Sequence, residues 1–75
     1  MKRSEGIAIA EKEAKPIHGY ETDKYFVFTM ANPKGELIGN NSAFVVNKRT
    51  SEGKWIPQSS FPLTDAGDYF GEFDI

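Results

Sequence analysis

The chain has 75 residues, no cysteine, one histidine and a formal net charge of −2 at pH 7. This length holds a single domain, residues 1–75, and such a domain buries only about 60% of the surface that its unfolded chain exposes. The lack of cysteine excludes disulfides and cysteine-based zinc sites, and it favours a reducing compartment, because small secreted domains usually depend on disulfides.

Targeting and membrane segments are not indicated by the sequence. No apolar run approaches the roughly 20 residues that a membrane-spanning helix requires. The basic start, Met1–Arg3, is not followed by the uninterrupted apolar segment of a signal peptide, because Glu11, Lys12 and Glu13 come too soon. We therefore expect a cytoplasmic protein that has no membrane partner.

The first predicted element is a helix from Ser4 to Lys15, with Ser4 as its N-cap. It ends before Pro16, since the residue that precedes a proline disfavours helical geometry. An apolar face at helical spacing supports the helix, although the alternating residues 7–10 also fit a strand. The members of this face are Ile7, Ala10 and Ala14.

The next segment, His18 to Asp23, is polar and contains a glycine, which indicates a loop. The clearest strand follows from Lys24 to Ala31, and both of its alternating faces are largely apolar, which is typical of a central strand. The sequence Asn-Pro-Lys-Gly at Asn32–Gly35 predicts a β-turn. Glu36–Ile38 is then predicted to form a short strand that pairs back.

A second group of strands follows a break at residues 39–42. Ala43 to Lys48 is predicted to be a strand, and Arg49–Gly53 turns the chain. Lys54–Ile56 resumes the sheet until Pro57, because proline cannot donate to an interior ladder. The stretch from Gln58 to Pro62 is predicted to be a loop.

The last predicted element is a short helix from Thr64 to Phe73, with Thr64 as its cap. Gly67 and Gly71 each cost about 1 kcal/mol within a helix, so this segment would depend on packing against the sheet. Its apolar stripe comprises Ala66, Tyr69, Phe70 and Phe73.

This order of elements predicts an α+β fold. The N-terminal helix packs on one face of a three- to four-stranded antiparallel sheet, and the short C-terminal helix is an optional addition. Such a meander lets short connections bury the apolar surfaces of both the helix and the sheet.

Catalytic and metal-binding groups are scarce. A lone His18 and no cysteine give no nucleophile–base group and no ordinary zinc site. The scattered carboxylates are typical of a solvated acidic face, because exposed carboxylates are the norm. We therefore predict no enzymatic activity, no metal and no cofactor.

The C-terminal segment from Thr64 to Ile75 carries four acidic side chains and no basic one. Aromatic residues lie among these acids, and aromatic side chains are favoured anchors of protein interfaces. The sequence therefore predicts that this end engages a basic surface of a protein partner. The predicted binding residues here are Asp65, Asp68, Tyr69, Glu72 and Asp74.

A second predicted binding group lies around the basic turn, where Lys48 and Arg49 come close in sequence to Trp55. With Lys54 this group is also the alternative site, for nucleic acid, because basic and aromatic side chains bind phosphates and stack on bases. The chain as a whole is acidic, with a pI of about 5.3, which favours a protein partner over nucleic acid. An uncovered strand edge would also allow a homodimer in place of a monomer.

The segment Leu37–Thr50 resembles a strand–turn pattern in small bacterial immunity proteins of the YrhB-like group. Tyr25–Phe28 stands in for the first strand of that group, and Gly39–Asn40 stands in for its turn. Asn41–Ala43 departs from the Gly-Pro of the group, and Asp68–Phe73 is similar to its short terminal helix.

The segment Val46–Trp55 is also similar to the ending of PepSY-type domains, which is a strand, a turn and a further strand. Ser51 replaces the glycine of that turn, and Gly53 lies where an apolar residue is usual. Both resemblances imply a helix-plus-sheet binding module rather than an enzyme. The first implies an inhibitor or immunity-like factor of a bacterium or its phage.

Overall fold

The computed structural model describes residues 1–61 and 63–75. Helix α1 spans Arg3–Glu11, and a short 3-10 turn follows the fourth strand at Gln58–Ser60. The strands β1 to β5 span Lys15–Thr22, Tyr25–Ala31, Ser42–Asn47, Gly53–Pro57 and Tyr69–Phe73. They form one antiparallel sheet in the order β4-β3-β2-β1-β5. The predicted α+β fold is confirmed, and the sheet has five strands where three to four were predicted.

The hydrophobic core lies between α1 and one face of the sheet. Its centre is β2, whose Phe26, Phe28 and Met30 have no exposed surface. The ring of Phe73 on β5 packs edge-on against the rings of Phe26 and Phe28, with centroids 6.0 and 5.9 Å apart. The core therefore joins the strand nearest the C-terminus to the central strand across β1.

Close packing of these rings depends on glycine in β1. Gly19 pairs with Phe28 on one side and with Phe73 on the other. A Cβ at Gly19 would lie 2.8 Å from Cζ of Phe73 and 3.2 Å from Cδ1 of Phe28. The two aromatic rings thus occupy the space that a side chain would need, which explains a glycine inside a strand.

The opposite face of the sheet is covered by the chain between β4 and β5, called here the crossover, described at residues 58–61 and 63–68. Because β4 and β5 lie at opposite edges, this segment must pass over the sheet. The backbone N–H of Gln58 donates to Asn41 (2.8 Å) at its start, and that of Lys24 donates to Ala66 (3.0 Å) near its end. Val27 and Val45, on the face opposite α1, are buried.

The strands predicted around residues 24–31, 43–48 and 54–56 are confirmed as β2, β3 and β4. The helix is also confirmed, but it begins at Arg3 and ends at Glu11. Its N-cap is Lys2 and not Ser4, and the Glu5 carboxylate accepts a hydrogen bond from the Lys2 backbone N–H at 3.0 Å. No helix among the described residues is long and apolar enough to cross a membrane.

The loop predicted at His18–Asp23 is wrong, because most of it belongs to β1. The strand predicted at Glu36–Ile38 reduces to a single bridge between Ala31 and Leu37. The loop predicted at 58–62 contains the 3-10 turn, and its last residue, Pro62, lies outside the described residues.

The predicted C-terminal helix does not form. Residues 69–73 are β5, and the preceding residues belong to the crossover. Gly67 and Gly71 have φ angles of +81° and +111°, which a right-handed helix does not allow. The four residues of the predicted apolar stripe also do not share one environment. Ala66 and Phe73 are buried, whereas Tyr69 and Phe70 are exposed.

Valine is a better strand former than glycine, yet we predict that Gly19→Val destabilises the fold by about 1–3 kcal/mol, the usual cost of overpacking a core. The cause is the clash of the new side chain with the rings of Phe28 and Phe73. Urea unfolding followed by circular dichroism measures the change. Thr29→Val at an exposed strand position is the control and should stay within about 0.5 kcal/mol of the wild type. Equal stability of the two variants would contradict the close packing at Gly19.

Candidate functional site

Most of the described acidic and aromatic residues at the C-terminal end, though not Asp65, lie at one edge of the sheet. β5 pairs with β1, and no other described strand pairs with its outer side. Tyr69 is 61% exposed and Phe70 is 53% exposed. We call this surface the β5 edge, and its exposed residues are Asp68, Tyr69, Phe70, Glu72 and Asp74.

A bulge in β5 allows two neighbouring aromatic residues to be exposed. The register between β1 and β5 shifts between Glu21 and Thr22, next to Gly71 with its positive φ. Tyr69 pairs with Thr22 and lies against the ring of Tyr20 at 5.6 Å. Phe70 lies on the side of α1. The bulge therefore places Tyr69 on the crossover side of the β5 edge and Phe70 on the side of α1.

The hydroxyl of Tyr20 is neutral at physiological pH. Burial is the main cause that raises the pKa of Tyr20, and the neighbouring Tyr69 raises it further. Tyr20 therefore adds aromatic surface without charge beside the carboxylates of the β5 edge.

Glu72 lies on the crossover side of β5, opposite Tyr20 of β1. Its Oε1 is 3.4 Å from Nε2 of His18, and both side chains are well exposed. An exposed contact of this kind contributes little to stability. The Glu72 carboxylate is thus accessible to solvent and to a partner.

Asp65 contacts β2 and does not belong to the β5 edge. Its Oδ2 accepts a hydrogen bond from the Tyr25 hydroxyl at 2.7 Å, which ties the crossover to β2. This hydrogen bond is the main cause of a raised pKa of Tyr25. Asp65 also lines a cleft of about 270 Å³ together with Lys48 and Arg49, so this acid lies beside the basic turn.

Lys48 is part of the fold. Its side chain is only 16% exposed, and its ammonium group donates to the Glu21 carboxylate and, at 3.0 Å, to the Thr22 carbonyl. The same ammonium lies 5.0 Å from the ring centre of Phe26 and 5.3 Å from that of Phe70. Lys48 therefore stabilises the end of the sheet, and Glu21 neutralises its charge.

Glu21 joins three elements at this end of the sheet. Besides Lys48, it accepts a hydrogen bond from Nε of Arg3 on α1 at 2.9 Å. The hydrogen bond from Lys48 is the main cause that lowers the pKa of the Glu21 carboxyl, and Arg3 contributes to the same shift. The guanidinium of Arg3 also lies 4.9 Å from the ring centre of Phe73, which anchors α1 to β5.

Trp55 is half-buried on the side of the sheet that faces α1. Its ring packs edge-on against Phe44 at 5.4 Å, and its Nε1 donates to Glu13 at 3.1 Å. Lys54, the neighbouring residue on β4, pairs with Val45 and points to the opposite face. The structure thus places Trp55 and Lys54, which the nucleic-acid alternative combined, on opposite faces of the sheet.

Phe70 is an exposed aromatic residue of the β5 edge that the sequence did not identify as a candidate for binding. Helical spacing assigned it to the buried stripe, whereas the bulge at Gly71 exposes it. The glycine that follows two aromatic residues was the available signal, since glycine within a strand often marks a bulge. Among residues 1–61 and 63–75, no group of three or more His, Asp or Glu side chains could hold a metal ion.

Comparison of the chain with protein-family models, with curated proteins and with solved structures finds no significant match. The resemblances to YrhB-like and PepSY-like proteins therefore stay predictions. The assignment of a function depends on the geometry of the β5 edge.

We predict that Lys48→Met destabilises the protein at pH 7 by about 1.5–3 kcal/mol, the usual worth of hydrogen bonds to charged groups. A carboxyl whose pKa is lowered by folding stabilises the fold above its ordinary value near 4.5, and the stabilisation is lost as the pH falls through the folded value. The difference between wild type and variant should therefore shrink towards pH 3.

Chemical unfolding at pH 7 and at pH 3 measures this difference. Lys34→Met, which changes an exposed lysine in the β2–β3 connection, is the matched control and should change stability by less than about 0.5 kcal/mol at both pH values. A Lys48→Met effect of the same size at both pH values would show that Glu21 is not its partner in stability.

Proposed function

We propose that this protein is a non-enzymatic binding module that holds a basic surface of a protein partner against the β5 edge. The observation that carries the proposal is the exposure of Tyr69 and Phe70, at 61% and 53%, beside an unpaired strand edge in the described part of the chain. Large aromatic side chains are common anchors of interfaces, because they bury much area at low entropic cost.

The charge around these aromatic residues supports a basic partner. Asp68 and Glu72 flank the aromatic pair in sequence, Asp74 follows, and all three carboxylates are exposed. No lysine or arginine lies between Thr64 and Ile75. Complementary charge at the rim of an interface raises the association rate and rejects acidic partners.

A module of this kind acts by occupying its partner. That agrees with the inhibitor or immunity-like role that the sequence resemblance implies, for a bacterial or phage protein. Nucleic acid is the weaker alternative, because the ammonium group of Lys48 is engaged by Glu21 and because Trp55 packs against Phe44.

Charge reversal at the β5 edge tests the proposal. We predict that the double variant Asp68→Lys/Glu72→Lys retains at least tenfold less partner than the wild type when tagged protein is used to capture proteins from bacterial lysate. The physical reason is repulsion between a basic partner and the new lysines. The binding of the wild type should also weaken as salt is raised from 50 to 300 mM, because exposed charges are screened.

The control variant is Glu11→Lys/Glu52→Lys, which makes the same change of net charge. Glu11 ends α1, Glu52 precedes β4 at the far edge of the sheet, and both side chains are exposed. This control should capture the same partner as the wild type. Equal capture by the two double variants would refute the β5 edge as the binding surface.

A further inference from the structure

We propose that the partner supplies an extended basic segment that pairs with the outer backbone of β5 as a sixth strand. This inference rests on the proposed function and specifies a mode of binding that the function alone does not require. A side-chain contact would need only the aromatic residues and the carboxylates, whereas strand addition needs the backbone donors and acceptors of β5.

The two edges of the sheet differ in how they are protected. β4 ends in Pro57 and carries Lys54, and both residue types discourage the pairing of an edge strand with another chain. β5 contains neither lysine nor proline and exposes Tyr69 and Phe70 instead. Its bulge twists one end, but Gly71–Phe73 stays in register with Glu21–Gly19 of β1. The β5 edge is therefore the one open to a further strand.

The side chains of β5 specify what such a segment carries. Glu72 pairs with Tyr20, and its side chain lies on the crossover side of β5. A basic segment that paired with β5 would place one of its basic side chains opposite Glu72 on that side. Directly opposed residues of opposite charge stabilise a strand pair. On the side of α1, a Cβ at Gly71 would meet nothing within 4 Å, so apolar side chains of the segment have room beside Phe70.

Charge also decides between a partner segment and a second copy of this chain. Two copies that paired through β5 would bring the acids Asp68, Glu72 and Asp74 of each chain close to those of the other. Like charges in such positions are destabilising, and the segment Thr64–Ile75 has no basic side chain to compensate. The occupant is therefore a basic strand of another protein. The part of β5 that stays in register, Gly71–Phe73, offers a regular pairing length of about 10 Å.

A synthetic peptide of nine alternating lysine and valine residues is the probe. We expect it to bind the wild-type protein at 50 mM salt and to slow amide hydrogen exchange in Tyr69–Phe73 at least tenfold, with no change in Gly53–Pro57. The same peptide with N-methyl groups on its three central residues keeps its charges but cannot pair along either edge. It should bind at least tenfold more weakly.

The variant Asp68→Lys/Glu72→Lys separates this inference from the proposed function. If both peptides bind the wild type equally and both lose affinity for the variant, strand addition is overturned and the charged binding surface remains. If the variant binds the peptides as tightly as the wild type does, both strand addition and the proposed binding surface are overturned. Strand addition would also be overturned if neither peptide bound, if β4 were protected instead of β5, or if the wild type were a dimer in sedimentation equilibrium. Capture from lysate would then test the proposed function separately.

Discussion

The pairing of β5 with β1, at the edge opposite β4, is the constraint on which the rest of the structure depends. It forces the chain after β4 to cross the face of the sheet that α1 leaves open, and so it accounts for the burial of Val27 and Val45. It also brings Phe73 into the core against two rings of β2. One strand thereby completes the core with one face and leaves its outer edge in solvent.

Electrostatic contacts reinforce this arrangement at one end of the sheet. Glu21 lies between Arg3 of α1 and Lys48 after β3, and both cations also lie near aromatic rings of the core or of β5. Lys48 of the basic turn is thus used by the fold itself. Within residues 1–61 and 63–75, the carboxylates of the β5 edge make no comparable contact apart from the exposed one of Glu72 with His18, so the acidic edge is a charged surface that the fold leaves exposed.

Periodicity in the sequence predicted α1, β2, β3 and β4, because their apolar residues follow the spacing of the element that they form. It missed β1, where Gly19 serves the packing of distant rings and has no local meaning. It assigned a helix to β5, because Tyr69, Phe70 and Phe73 fit helical spacing as well as a bulged strand. The acidic residues near the C-terminus were visible in the sequence, but the position of Asp68, Glu72 and Asp74 at an edge of the sheet depends on the order of strands, which no local pattern contains.

The sequence separation of β5 from its pairing partner has a consequence for the order of assembly. The strands β1 to β4 join as consecutive hairpins, whereas β5 must close a loop of about fifty residues before it gains contacts. The C-terminal strand is therefore expected to dock late in folding and to open first in the native state, by local unfolding. A partner that binds docked β5 disfavours this opening. At a free partner concentration of one hundred times Kd, binding would stabilise the docked segment by about 2.7 kcal/mol.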